Sequence, residues 1–155
     1  MSTGPDVERY LHEHIPISRA LGVTVIRADA GGVVLRAPLA PNINHRSTVF
    51  GGSAISVAIL AAWTLVHLWT RDLHRLGRYR VVIHRSAMDY LAPVQGDFSA
   101  ICTPPSDALE RFTGTLERHR RARVDLTARV TTGDRDVGSF AGSYVAIRLA
   151  DGEDV

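Results

Sequence analysis

Residues 45–70 read HRSTVFGGSAISVAILAAWTLVHLWT, and how this stretch is read decides the fold. From Ser47 to Thr70 it holds no Asp, Glu, Lys or Arg. An uncharged run longer than about 18 residues meets the length of a membrane span. Its composition argues for a core helix instead. The stretch opens with Ser47-Thr48 and Gly51-Gly52-Ser53 and continues with Ser56 and Thr64, so its strongly apolar part runs only from Ile55 to Trp69. Elsewhere the chain supplies several strands with one apolar face each, and a lone span would leave them without a core. The expectation is a helix apolar all round, wrapped by a curved sheet on one side and closed by a second subunit on the other.

The flanking sequence supplies those strands. Upstream, a short helix is predicted from Pro5-Asp6 to about His14, with Val7, Tyr10 and Leu11 on one face and Pro16 interrupting it. Val23–Arg27 and Val33–Ala37 are β-branched runs around an Asp29-Ala30-Gly31-Gly32 turn, and a polar loop of turn formers leads into the long helix. Downstream, Arg80–Leu91 reads as a long strand ended by Pro93 and a Gln95-Gly96-Asp97 turn, with Phe98–Cys102 as its hairpin partner. Pro104-Pro105-Ser106 then breaks the chain and caps a short helix carrying Leu109, Phe112 and Leu116. In Arg121–Val130 apolar and polar residues alternate strictly, and Gly133-Asp134 turns this strand into the last one, Val137–Ile147. The sum is an α+β fold in which one long central helix is wrapped by a six-stranded, mainly antiparallel sheet. With no linker or internal repeat, residues 1–155 form one domain, disordered only at about 1–5 and 149–155.

Composition bounds the function. The 155 residues are 45% hydrophobic and 22% charged, the proportions of a soluble globular protein. The formal charge is +2, but Arg118-His119-Arg120-Arg121-Ala122-Arg123 concentrates positive charge, which favours an acidic partner. No recognition-helix motif or aromatic interleaving points to nucleic acid. The N-terminus MSTGPDVERYLHEH lacks the pattern of a secretory signal, and the single Cys102 forms no internal disulfide, so the reducing cytoplasm is expected. The seven histidines show no metal-ligand spacing, and no metal is expected.

Chemistry is concentrated where the loop meets the helix, in Asn42-Ile43-Asn44-His45-Arg46-Ser47-Thr48-Val49-Phe50-Gly51-Gly52. Paired glycines at the start of a buried helix let a ligand approach the backbone, and the first N–H groups of that helix have no intrahelical partner. Such a terminus favours negative charge, including the developing oxyanion of a thioester carbonyl. Asn44 can also serve simply to order its own loop.

A polar Asn-containing loop, then Gly-Gly, a long apolar helix and a strand ending Asp89-Tyr90-Leu91-Ala92-Pro93-Val94-Gln95-Gly96-Asp97 resembles the hotdog fold of acyl-thioester enzymes, over roughly Ile15 to Ile147. The segments Ile17–Gly22, Ala37–His45, Thr48–Ser53 and Arg85–Leu91 resemble one subgroup more narrowly. This is the thioesterase-like domain found behind GNAT acetyltransferase domains or standing alone, which includes malonyl-ACP decarboxylases. The resemblance implies a homodimer or dimer of dimers with interfacial active sites. The substrate, an acyl carrier protein or CoA thioester, brings its own pantetheine arm, and no further cofactor is expected.

Residue by residue, the resemblance gives Asn44 the loop-Asn role and Gly51 the oxyanion N–H. His45 and Asp89 join them as catalytic candidates, and Asn42, Thr48, Phe50, Gly52, Ser53, His84 and Arg85 are expected around the substrate. Arg75, Arg78, Arg120, Arg121 and Arg123 would attract the acidic carrier. The sequence departs from the commoner hotdog thioesterases in two places. Phe50 stands where a His precedes the glycines, and around the expected helix carboxylate the chain reads Ala58-Ile59-Leu60. Hydrolysis needs an activated water, and general-base help is typically worth about 10² to 10⁴ in rate. Either His45, Asp89 or His84 supplies a base from elsewhere, or the reaction needs none. Malonyl-thioester decarboxylation proceeds through an enolate and needs only oxyanion donors, and it is placed slightly ahead of hydrolysis; a non-catalytic acyl-binding module is the third reading.

Overall fold

The computed structural model describes residues 4–150, 152 and 153. In chain order the elements are α1 (Gly4–His14), α2 (Pro16–Ala20), β1 (Thr24–Asp29), β2 (Gly32–Ala37), α3 (Gly51–Asp72), β3 (Tyr79–Tyr90), β4 (Phe98–Cys102), α4 (Ala108–Arg118), β5 (Arg121–Thr132) and β6 (Arg135–Arg148). The strands form one antiparallel sheet in the order β1-β2-β4-β5-β6-β3. The strict alternation in β5 does what its period demands: from Arg121 to Val130 every second residue is buried.

Helix α3 is long and apolar enough to cross a membrane, yet 13 of its 22 residues are buried inside the fold. Leu65, Val66 and Trp69 share one core with Val33, Leu35, Phe98, Leu126, Phe140 and Tyr144 from the sheet. Hydrogen bonds help fix it there: the Tyr144 hydroxyl donates to the Ile59 carbonyl at 3.0 Å, and Trp69 Nε1 donates to the Ala30 carbonyl at 3.0 Å. The all-round apolar character therefore reflects wrapping by the sheet, with α4 adding Phe112 against Trp69.

Two sequence expectations need correction. β3 and β4 are consecutive but not a hairpin, because β3 pairs only with β6 at one edge while β4 lies between β2 and β5. The connection is instead a crossing. Residues 91–97 pass the start of α3, where the Val49 amide donates to the Val94 carbonyl at 2.8 Å, and Asp97 then accepts from the Leu39 amide. The α4 cap residue is Asp107 rather than Ser106, and its carboxylate pairs with Arg111 at 3.2 Å instead of bonding a helix amide. The expected disorder at the ends falls at 1–3, 151, 154 and 155 outside the described residues. Within them, Gly4 and Pro5 already belong to α1 and Leu149 is buried.

The two sheet edges are treated differently. α1 covers the β1 edge, where the Glu8 carboxylate accepts the Val25 amide at 2.8 Å, one way of blunting a strand edge. The twelve-residue edge of β3 carries exposed Val82 and Ile83.

Cys102 sits in β4, almost wholly buried, and burial pushes its thiol up to about 12. The thiolate is the reactive form, so near the ordinary thiol pKa of about 8.5 an alkylating reagent should leave the native protein unlabelled and label it fully in denaturant. Rapid labelling of the folded protein, read by mass spectrometry, would contradict this burial.

Candidate active site at the start of the central helix

The loop before α3 is built by two asparagines with different tasks. Asn42 is buried, and its amide nitrogen donates to the Leu21 and Pro38 carbonyls at 2.8 and 2.7 Å. Its own carbonyl accepts the Phe50 amide at 2.7 Å, so Asn42 fastens both ends of the loop to the body of the fold. Beneath it, Gly22 at φ +70° allows the tight packing against Pro38, where an added Cβ would lie 2.9 Å from the proline ring.

Asn44 closes the loop itself. Its Oδ1 accepts from the Arg46 amide at 2.8 Å and the Thr48 amide at 3.2 Å, and its Nδ2 donates to Thr48 Oγ1 at 2.9 Å. The second Nδ2 contact, to the Val49 carbonyl, is 3.5 Å long, the weak limit of a hydrogen bond, so this amide hydrogen is only loosely held. Ser47 takes a left-handed φ of 61° to complete the turn, leaving His45 and Arg46 exposed at its tip. The loop-ordering role of Asn44 is thus fully present, and it coexists with one weakly engaged donor.

The first turn of α3 follows directly. Phe50 is its cap in extended conformation, and its carbonyl accepts the Ser53 and Ala54 amides at 2.9 and 3.2 Å. The Gly51 and Gly52 amides, at the first two helical positions, have no intrahelical acceptor and carry the positive end of a 22-residue helix. Aromatic rings crowd both glycines. A Cβ on Gly52 would lie 2.3 Å from the Phe50 ring, and one on Gly51 would lie 3.2 Å from the ring of Tyr90. Tyr90 also donates its hydroxyl to the Gly51 carbonyl at 2.9 Å. Phe50 and Tyr90 therefore flank the turn as two largely exposed rings. Tyr90 belongs to the strand-end motif, but the sequence offered no signal that it would reach the helix.

Asn42, Asn44, Thr48, Phe50, Gly51, Gly52 and Ser53 thus lie together at this turn. Asp89 and Arg85 do not join them. Successive strand residues face opposite sides, and since Tyr90 and Met88 point toward α3, Asp89, Ala87 and Arg85 point to the outer face. There Arg85 lines a shallow pocket with Asp125 and Ser143, whose hydroxyl bonds the Asp125 carboxylate and accepts from Arg123. Arg85 and Asp89 form no ion pair with each other among the described residues. His84 is the unpaired residue at the β3 bulge, exposed to solvent. Arg75, Arg78, Arg120, Arg121 and Arg123 are exposed near the ends of the sheet where β3 and β5 begin; Arg78 donates to the Glu153 carbonyl and Arg75 approaches Glu117 at 3.9 Å.

At the other end of α3, Trp63 and His67 are half-buried. They continue into a ring stack that the sequence did not reveal, His14 on Tyr10 on His67 on Trp63, with centroid spacings of 4.0, 4.5 and 4.9 Å. Burial first, then the nearby Arg71 and His14 charges, lower the His67 pKa to about 4; Asp6 and Tyr10 of α1 border the same side. The folded protein therefore holds His67 neutral while the unfolded chain protonates it near 6.5, so this contribution to stability is present above about pH 6.5 and is lost as pH falls toward 4. Urea midpoints should fall over that window, and His67→Gln should remove this part of the fall. An unchanged pH profile in the variant would contradict it.

A six-stranded antiparallel sheet wrapped on one long helix, with a glycine turn facing a polar loop, is a hotdog fold of the thioesterase type. The family model described as "Putative thioesterase (yiiD_Cterm)" matches residues 5–148, and the chain belongs to that family. Among solved structures it is similar to a protein of unknown function from Chlorobaculum tepidum TLS, at 30% identity over 94% of each chain and a TM-score of 0.84. A structure titled a putative thioesterase from Shewanella oneidensis is 26% identical, covering 93% of this chain and 96% of that one, at a TM-score of 0.78. The Pseudomonas aeruginosa protein PA5026, titled a probable thioesterase, shares the fold at 20% identity over 96% and 99% of the chains, with a TM-score of 0.80.

Proposed function

We propose that this thioesterase-like protein is an enzyme that binds the carbonyl of an acyl thioester at the start of α3 and decarboxylates a malonyl thioester carried on an acyl carrier protein. One observation carries the choice of chemistry. The turn offers the Gly51 and Gly52 amides and one Asn44 amide hydrogen as donors, while α3 carries no acid or base before His67. In the proposed step the bond between the carboxylate and the methylene carbon breaks, CO₂ leaves, and the electron pair becomes an enolate whose oxygen rests on these donors. Solvent then protonates the methylene carbon to give the acetyl thioester. Phe50 and Tyr90 limit water at the site, and Thr48 and Ser53 border it.

Hydrolysis is the second reading, supported by the family description and by His45, which stands exposed beside Asn44 and can reach a water there. In either case the acidic carrier or the CoA phosphates meet Arg75, Arg78, Arg120, Arg121 and Arg123, and the open β3 edge pairs two copies into a dimer working in the cytoplasm. Mass spectrometry of a malonyl carrier-protein thioester after incubation decides the chemistry. Loss of CO₂ with the thioester intact supports decarboxylation, and release of the free carrier thiol supports hydrolysis. Asn44→Ala should reduce turnover by about 10²-fold or more while sparing carrier binding. If the wild-type protein binds both thioesters and changes neither, the non-catalytic binding module is the correct description.

A further inference from the structure

We infer that Tyr90 is a positioning residue for the reaction: by donating its hydroxyl to the Gly51 carbonyl, it orients and polarises the peptide whose N–H is the Gly52 amide, and so sets the strength of that amide as an oxyanion donor. The inference rests on the acyl-thioester reading. The bond is 2.9 Å long. The Gly51 carbonyl and the Gly52 N–H belong to one planar trans peptide, so a donor held at one end fixes the direction of the other. A second donor on a helical carbonyl also draws electron density from the nitrogen across the peptide, and hydrogen bonds linked in this way strengthen one another by about 10–30% each.

The first turn of α3 shows where such support falls. The Gly51 amide shares its peptide with the Phe50 carbonyl, which already accepts two backbone amides, those of Ser53 and Ala54. The Gly52 amide shares its peptide with the Gly51 carbonyl, and there the added donor is the Tyr90 side chain. The next carbonyl along, that of Gly52, also takes a hydroxyl, from Ser56 at 2.7 Å. Its peptide carries the Ser53 N–H, which is spent on the Phe50 carbonyl at 2.9 Å, so the support from Ser56 reaches no ligand. Of the two hydroxyls, only that of Tyr90 backs an amide left open at the helix start.

The sheet holds Tyr90 firmly enough for this task. Tyr90 pairs with Gly138 of β6, and the next two amides, of Leu91 and Ala92, both donate to the Val137 carbonyl at 2.9 and 3.3 Å. Beyond them the Val94 carbonyl accepts the Val49 amide at 2.8 Å, which ties the segment after β3 to the residues just before α3. The Tyr90 ring itself lies against Gly51, where an added Cβ would be 3.2 Å away, so ring contact and hydrogen bond act on the same residue. A water could reach the Gly51 carbonyl in place of the hydroxyl. It would have to reorient as charge develops on the substrate oxygen, whereas a donor fixed to a strand needs no reorganisation.

Tyr90→Phe keeps the ring and removes only the hydroxyl. Tyr90 is 57% exposed, so the variant should fold as the wild type does. In NMR spectra of isotope-labelled protein, the Gly51 carbonyl carbon and the Gly52 amide nitrogen should both move upfield, with the Gly51 amide little changed. If those two resonances stay in place, the polarisation is overturned. With malonyl and acyl carrier-protein thioesters, kcat should fall about three- to tenfold and KM should hold, the pattern of a contact that matters in the transition state. Ser56→Ala removes the hydroxyl from the neighbouring carbonyl and should leave kcat within about twofold of wild type. An equal loss in both variants, or no loss in Tyr90→Phe, overturns the role in the reaction. So does a Tyr90→Phe pH–rate profile that lacks a limb of the wild-type curve, because the hydroxyl would then act as an acid or base itself. A wild-type protein that turns over no thioester fails at the acyl-thioester reading, while the two resonances still decide whether Tyr90 polarises the Gly52 amide.

Discussion

Gly51→Pro is expected to lower thioester turnover by about 10² to 10³-fold while leaving the fold intact, the effect of removing one preorganised oxyanion donor. The substitution is unusually well matched to its site. Gly51 is the first helical residue, where proline is favoured because that N–H has no intrahelical acceptor. The preceding residue must be extended for proline to follow, and Phe50 already is, at φ −61° and ψ 131°. Gly51→Ala is the control. Both variants bring a Cβ to within 3.2 Å of the Tyr90 ring, but only proline deletes the donor. The ratio of their kcat values therefore isolates the N–H from the crowding. Urea midpoints of the two should agree closely, and a proline variant within a few-fold of the alanine variant would show that the amide does not hold the reacting oxygen.

The pattern of the elements was legible because it is periodic, and periodicity is local. Arg121–Val130 alternates with period two, so β5 and its buried face follow from the sequence alone. The start of α3 was legible for a similar reason, since glycine pairs and turn formers act within a few residues of themselves. Strand order is a different kind of information. The β3–β4 pairing was misread because a Pro and a Gln-Gly-Asp turn look the same whether the chain reverses into a hairpin or crosses the start of α3; only Val94 and Asp97, bonding to residues far away in sequence, distinguish the two.

Asp89 and Arg85 illustrate the same limit within the site. Their nearness in sequence to Tyr90 is real, but a one-residue step in a strand reverses the face, and the bulge at His84 shifts the alternation again. The ring stack on His67 was invisible because Tyr10 and His14 come from α1, some fifty residues away in the chain, and no local pattern pairs them with Trp63.

Trp69→Ala should cost about 3–5 kcal/mol of stability, a large share of the roughly 5–15 kcal/mol that holds a domain of this size together. Trp69 is 1% exposed near the end of α3, its ring centroid lies 5.6 Å from that of Phe112 on α4, and Nε1 bonds the Ala30 carbonyl in the β1–β2 turn. One side chain thus ties the central helix to the first hairpin and to α4. Its removal leaves a cavity that three different elements would have to move to fill, so little relaxation is available. Trp69→Phe separates the contributions: it keeps an aromatic ring in the core and loses the hydrogen bond, for about 1–3 kcal/mol. Trp63→Ala, at a half-buried position on the same helix, should cost less than Trp69→Ala. Denaturant unfolding checks all three, with the midpoint shifting and the slope unchanged. Trp69 lies about 27 Å along the helix from Gly51, so turnover per folded molecule should survive the substitution. A loss below about 1 kcal/mol would mean that α3 is not the closed core helix it is here, and would reopen the membrane reading of its sequence.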